Sequence, residues 1–132
     1  MNMQEGKKLI PGHADLTESC PAVRAILSRI GDKWSVLVVM QLVEGTRRFN
    51  ELKRLVGGIS QRMLTLTLRG LERDGLVRRE LFPGVPPRVE YSLTELGRSL
   101  REPVYALSRW AVENRDGIHA AQRRFDAAEA EK

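Results

Sequence analysis

The sequence predicts an α+β fold, mainly helical, with a single β-hairpin placed late among the helices. Three observations predict it. Ser60 opens and Gly75 closes a run in which Leu64, Leu68 and Leu71 recur at helical spacing. From Arg88 to Leu93, Val89, Tyr91 and Leu93 alternate with Arg88, Glu90 and Ser92, the period of a strand with one wet face. Between that run and its partner, Val77 to Phe82, stand Pro83-Gly84 and Pro86-Pro87, which stiffen a hairpin tip. A helix followed directly by a hairpin, both rich in arginine, is the outline of a winged helix-turn-helix.

The elements follow in order. Residues 1–15 are polar, aperiodic and contain Pro11-Gly12, the composition of a flexible arm. Pro21 suits the first turn of a helix, and Val23, Ile26, Leu27 and Ile30 give it an apolar stripe. Gly31 stops that helix and Asp32 caps the next, from about Lys33 to Val43, which carries Trp34, Leu37, Val38 and Leu42. Thr46-Arg47-Arg48 is short and extended enough to pair with the later hairpin. Phe49, Leu52, Leu55 and Val56 mark a short third helix. Gly57-Gly58 turns the chain into the fourth helix, capped by Ser60. Thr94 caps a final long helix bearing Leu96, Leu100, Val104, Leu107, Trp110 and Ala111, which Pro103 should kink or restart. The stretch after Gly117 has high helix propensity but only Phe125 as a large apolar anchor, so a frayed helix is expected there. The organisation is an arm (1–15), one domain (16–116) and a partly helical tail (117–132).

Composition narrows the function. The chain of 132 residues fits one modest core. No apolar run reaches the roughly 20 residues of a membrane span, and the first residues lack the apolar stretch of a secretion signal, so the expected location is the cytoplasm. Cys20, His13 and His119 do not form a metal-ligand pattern, and no acid/base constellation accompanies the lone cysteine. No cofactor, metal or catalytic residue is expected, and the chain reads as a non-enzyme. Net charge is +5. From Arg47 to Arg88 ten basic side chains stand against four acidic ones. The flanking segments hold five against five and seven against eight, so the whole surplus lies on the helix-turn-helix and hairpin. Such concentration fits a polyanionic partner.

Several pieces in order resemble the HxlR-type winged-helix regulators, relatives of the MarR-type regulators. They are Cys20-Pro21, Ile30-Gly31-Asp32-Lys33-Trp34, Arg48-Phe49-Asn50-Glu51-Leu52 and Gly58-Ile59-Ser60-Gln61-Arg62-Met63-Leu64-Thr65. Leu68 to Val77, Val85 to Thr94 and Gly97 continue the match, which covers roughly Cys20 to Trp110. The resemblance implies a homodimer built from the first and last helices, with two recognition helices on the half-sites of a pseudo-palindromic operator in double-stranded DNA. Gly70 departs from the acidic residue usual at its position.

On this reading Ser60, Gln61, Arg62, Thr65 and Arg69 are the DNA-contact candidates of the recognition helix. Arg62 can donate two hydrogen bonds to a guanine edge and Gln61 can pair with adenine. Arg88, with Arg78 or Arg79, would carry the hairpin wing into a minor groove. Arg47, Arg48, Lys53 and Arg54 would hold the phosphate backbone, which fixes register without reading sequence. Alternatively Arg88 pairs with Glu90. Trp34, Trp110 and Tyr91 read as core or dimer-interface residues, and a small-molecule or electrophile effector between the dimer helices and the DNA-binding unit stays open.

Cys20 has two readings. A helix N-terminus favours its thiolate, and cysteines in this region sense quinones, aldehydes or oxidants in some regulators that the chain resembles. The other reading is a small buried apolar residue. For the chain as a whole, the alternative to DNA binding is a winged-helix module that binds an acidic protein.

Overall fold

The computed structural model describes residues 21–132; Cys20 and the arm at 1–15 lie outside the described residues. The chain runs through α1 (Pro21–Gly31), α2 (Lys33–Val43), β1 (Arg47–Arg48), α3 (Phe49–Val56) and α4 (Gln61–Arg73). It continues through β2 (Val77–Phe82), β3 (Arg88–Leu93), α5 (Glu95–Arg98) and α6 (Arg101–Ala130). No described helix is long and apolar enough to cross a membrane.

Local chemistry sets most of these boundaries. The Asp32 carboxylate accepts from the Ser35 N–H at 3.2 Å and caps α2. Glu51 reaches back from the first turn of α3 to accept from the Arg48 N–H at 2.9 Å. Ser60 caps α4 by accepting from the Met63 N–H at 3.0 Å. At the far end of α4, Gly75 has φ +77°. Its N–H donates to Glu72 O, and the Leu76 N–H donates to Leu71 O. This paired arrangement closes a helix with a left-handed residue that glycine adopts freely.

The sheet has the order β1-β3-β2 and is antiparallel throughout. In the hairpin Val77 faces Leu93, Arg79 faces Tyr91 and Phe82 faces Arg88. The short Arg47-Arg48 segment pairs with β3 as its extended character predicts, with Arg47 opposite Tyr91. The core lies where α2, α3 and α4 meet the sheet. Val38, Leu52, Leu64, Leu68 and Leu71 are its sealed centre, with Tyr91, Leu93 and Val104 around it. The three leucines expected to face inward from α4 therefore do so.

The last helix restarts beside Pro103 as expected, and its tail is more regular than expected. The last helix is divided at Ser99-Leu100, so one turn of α5 precedes α6. Pro103 falls in the first turn of α6, where an absent N–H forfeits no helical hydrogen bond. The expected fraying after Gly117 is replaced by regular helix to Ala130. Alanine, glutamate, glutamine and arginine dominate that segment, and each propagates a helix well. α1, by contrast, keeps its predicted stripe but buries none of its residues within the chain.

Candidate nucleic-acid interface

α3, the Gly57-Gly58 turn and α4 form the helix-turn-helix. Both glycines have positive φ, 72° and 76°, which reverses the chain within two residues. With Leu64, Leu68 and Leu71 fixed in the core, the opposite side of α4 must face water. Gln61, Arg62, Thr65 and Arg69 are all exposed there. Among the described residues neither Arg62 nor Arg69 makes an ion pair or a side-chain hydrogen bond, so both guanidiniums keep their donors for an outside acceptor.

Ser60 and Thr65 are partly engaged. The Ser60 hydroxyl oxygen accepts the capping bond, and the Thr65 hydroxyl donates to Gln61 O at 2.9 Å. Thr65 therefore offers chiefly its methyl group outward. Lys53 and Arg54 stand exposed on the last turn of α3, and Arg48 is exposed at the other end of that helix, on β1.

Two candidate contacts, Arg47 and Arg88, have partners within the chain. Arg47 turns back onto α2: its Nε donates to Gln41 O at 3.4 Å and its Nη2 lies 3.6 Å from Glu44 Oε1. Arg88 is held on the wing by Glu90 Oε2 at 2.8 Å, with its guanidinium 4.6 Å from the Phe82 ring centre. The alternative pairing of Arg88 with Glu90 is thus the one formed. Arg79 makes no ion pair or side-chain hydrogen bond among the described residues. It shares a cleft of about 430 Å³ with Thr65, Arg69, Glu72 and Tyr91, between α4 and the hairpin. Strand alternation could have found it: a residue paired with inward-facing Tyr91 lies on the face of the hairpin turned to α4. Of the three aromatic residues, Tyr91 is buried, Trp34 packs against the core and Trp110 is 55% exposed.

Thr94 locks the hairpin to the end of the recognition helix. Its hydroxyl donates to Gly75 O at 2.6 Å and accepts from the Gly97 N–H at 3.0 Å, while its own N–H donates to Leu76 O. These bonds tie the base of the wing to the end of α4.

Comparison with known proteins agrees with this geometry. The model of the HxlR-like helix-turn-helix family matches residues 29–119. The HTH-type transcriptional regulator YybR of Bacillus subtilis is 46% identical over 118 residues, covering 89% of this chain and 90% of YybR. The solved transcriptional regulator ytfH from Salmonella typhimurium superposes with a TM-score of 0.74 at 41% identity, covering 81% of this chain and 95% of that one. The redox regulator HypR in its oxidized form superposes at 0.67 with 48% identity, covering 72% and 97% respectively. A winged helix-turn-helix built from these residues, matched by sequence and by fold to transcriptional regulators, places the chain in the HxlR-like helix-turn-helix family.

Proposed function

We propose that this protein is a sequence-specific DNA-binding regulator of transcription that acts as a homodimer on a pseudo-palindromic operator. The observation that carries the reading is the outer face of α4. Gln61, Arg62, Thr65 and Arg69 are presented together on a helix whose other side is sealed in the core. A helix so mounted enters a major groove end-on, with its first residues at the base edges. Arg48, Lys53 and Arg54 serve as phosphate contacts and Arg79 joins Arg69 at the groove wall. Arg88, held through its Nε by Glu90, keeps its Nη donors for a minor groove, and Arg47 acts in anchoring α2. DNA as the partner puts the protein in the cytoplasm.

The dimer reading rests on apolar surface left open by the single chain. Ile26 and Leu27 on α1 are 55% and 51% exposed. Leu107, Trp110 and Phe125 on α6 are more than half exposed as well. A second copy covers both helices at once and sets two copies of α4 side by side.

The test is a binding assay on sequences selected from a random DNA pool. Arg62→Ala loses about 10–100-fold on the selected operator, from the 1–3 kcal/mol of a bidentate base contact, and little on random DNA. Lys53→Ala weakens operator and random DNA alike and lowers the salt slope by about one. Equal losses on both DNAs for Arg62→Ala would move that residue to the phosphates. No binding at low salt would replace DNA by an acidic protein partner.

Cys20 is the proposed redox or electrophile sensor. The support is the similarity to HypR and the position of Cys20 immediately before α1. With one cysteine per chain, a disulfide forms only with a second copy or with another thiol. Diamide or a quinone releases the operator from the wild type and leaves the Cys20→Ser protein bound. Release that persists in Cys20→Ser removes Cys20 from the role.

A further inference from the structure

We propose that Arg29 is a positioning residue that clasps α1 to the C-terminal end of the recognition helix and so fixes the angle at which α4 is presented. Its use in setting the half-site spacing rests on the DNA-binding dimer proposed above. The clasp spans elements far apart in sequence. Arg29 Nε, on the last turn of α1, lies 2.9 Å from Asp74 Oδ2, at the C-cap of α4.

Three features single out this contact. First, an acid at a helix C-terminus meets the negative end of the helix dipole, so Asp74 is unfavourable unless a cation faces it. Arg73 is 3.9 Å away and largely in solvent, which leaves Arg29 as the close partner. Second, α4 is cut away to admit the guanidinium. A Cβ on Gly70 would collide with Arg29 Nη1 and Cζ. Gly70 is buried inside a helix, where glycine otherwise costs about 1 kcal/mol against alanine. Third, among the described residues two clefts border the clasp. α1 packs chiefly on α2. A cleft of about 490 Å³ lined by Ile26, Met63, Leu66 and Thr67 lies on one side of Arg29. Another of about 340 Å³, lined by Ile30, Leu76, Leu96 and Leu100, lies on the other. Among the described residues apolar packing does not fill the joint between α1 and α4, so a directed charged contact restrains it.

In the dimer α1 belongs to the shared interface and α4 to the DNA. The angle between them determines the separation and tilt of the two recognition helices. Loss of the clasp leaves each helix intact and loosens their relation.

The experiment uses the full chain with Cys20→Ser and spin labels at Arg24→Cys on α1 and Glu72→Cys on α4. The distance distribution, read by pulsed electron resonance, is narrow in the parent. It broadens with Arg29→Ala and with Gly70→Ala, and it narrows again in the charge exchange Arg29→Asp with Asp74→Arg. Gly70→Ala separates the effect from misfolding, because alanine favours the helix while evicting the guanidinium. In parallel, unlabelled variants are bound to operators whose half-site spacing is changed by one base pair. Preference for the best spacing falls about fivefold in Arg29→Ala, the most an exposed ion pair holds, and returns in the exchange. An unchanged distance distribution in both single variants overturns the clasp, whether or not the protein binds DNA. Broadening with unchanged spacing preference overturns the role in spacing. Broadening in a protein that binds no DNA sinks the operator reading and leaves Arg29 as the fastener of the joint.

Discussion

Gly97→Ala lowers the unfolding midpoint by about 10 °C, the shift expected for a loss of about 3 kcal/mol in a domain of this size. The cause is contact with backbone. A Cβ at Gly97 would collide with the Leu76 carbonyl oxygen, and would stand 3.2 Å from Leu93 Cδ2. The carbonyl cannot swing aside, since it accepts the Thr94 N–H at 3.0 Å within the lock that joins wing to recognition helix. Overpacking a sealed site costs about 1–3 kcal/mol, and a fixed backbone places this one at the upper end. Gly70→Ala is the matched control. Gly70 is also buried in a helix, but the obstacle there is the end of an arginine side chain, which can move. The propensity gain of about 1 kcal/mol roughly offsets the exposed ion pair lost, so its midpoint changes little. Thermal melts of the two variants side by side check the argument. Equal shifts would mean that side-chain and backbone obstacles are alike, against the reading of both sites.

The contrast between these two glycines also marks what the sequence could reveal. α4 and the hairpin were legible because each carries one buried face, and a buried face imprints its period on the chain: Leu64, Leu68 and Leu71 on the helix, Val89, Tyr91 and Leu93 on the strand. The exposed candidates Arg62 and Arg69 followed by exclusion from those faces. Arg88 and Arg47 were harder, because what a surface arginine bonds to depends on neighbours in three dimensions. Glu90 lies on the same strand, two residues from Arg88, whereas Arg47 reaches a carbonyl of α2. The purpose of Gly70 was illegible for the same reason. Its partner Arg29 arrives on another helix to meet an acid 45 residues away. Only a folded chain brings such contacts together. The tail misled for a different reason: its helix gains no core face from its own chain, so a period taken from burial within one protomer had nothing to register.

Ile118→Glu and Phe125→Glu each weaken the proposed homodimer more than 100-fold, whereas Val112→Glu leaves it intact. α6 is 30 residues long, about 45 Å, and it is tied to the body by Val104 and Ser108, the latter contacting Met40. From Arg109 onward, among the described residues, no hydrogen bond or ion pair leaves the helix. Leu107, Ala111, Asn114, Ile118, Ala121 and Phe125 recur there at steps of four and three. In the proposed homodimer this 3.5-residue period forms the seam of two helices wound together. The Asn114 amide donates to Trp110 O at 2.9 Å, so one polar group on the seam is partly satisfied within its own helix. Helices in proteins draw most of their stability from packing an apolar face, which makes a second copy along the seam the natural support of this one. Burying isoleucine or phenylalanine contributes about 1.5–3 kcal/mol per side chain, and two-fold symmetry counts each twice. A loss near 3 kcal/mol already shifts the dissociation constant more than 100-fold. Val112 is more exposed than either, at 70%, but points away from the seam, so exposure alone and seam position predict opposite outcomes for it. Sedimentation across a concentration series reads the result. Dissociation by Val112→Glu with an intact dimer in Phe125→Glu would place the second copy on another face of α6.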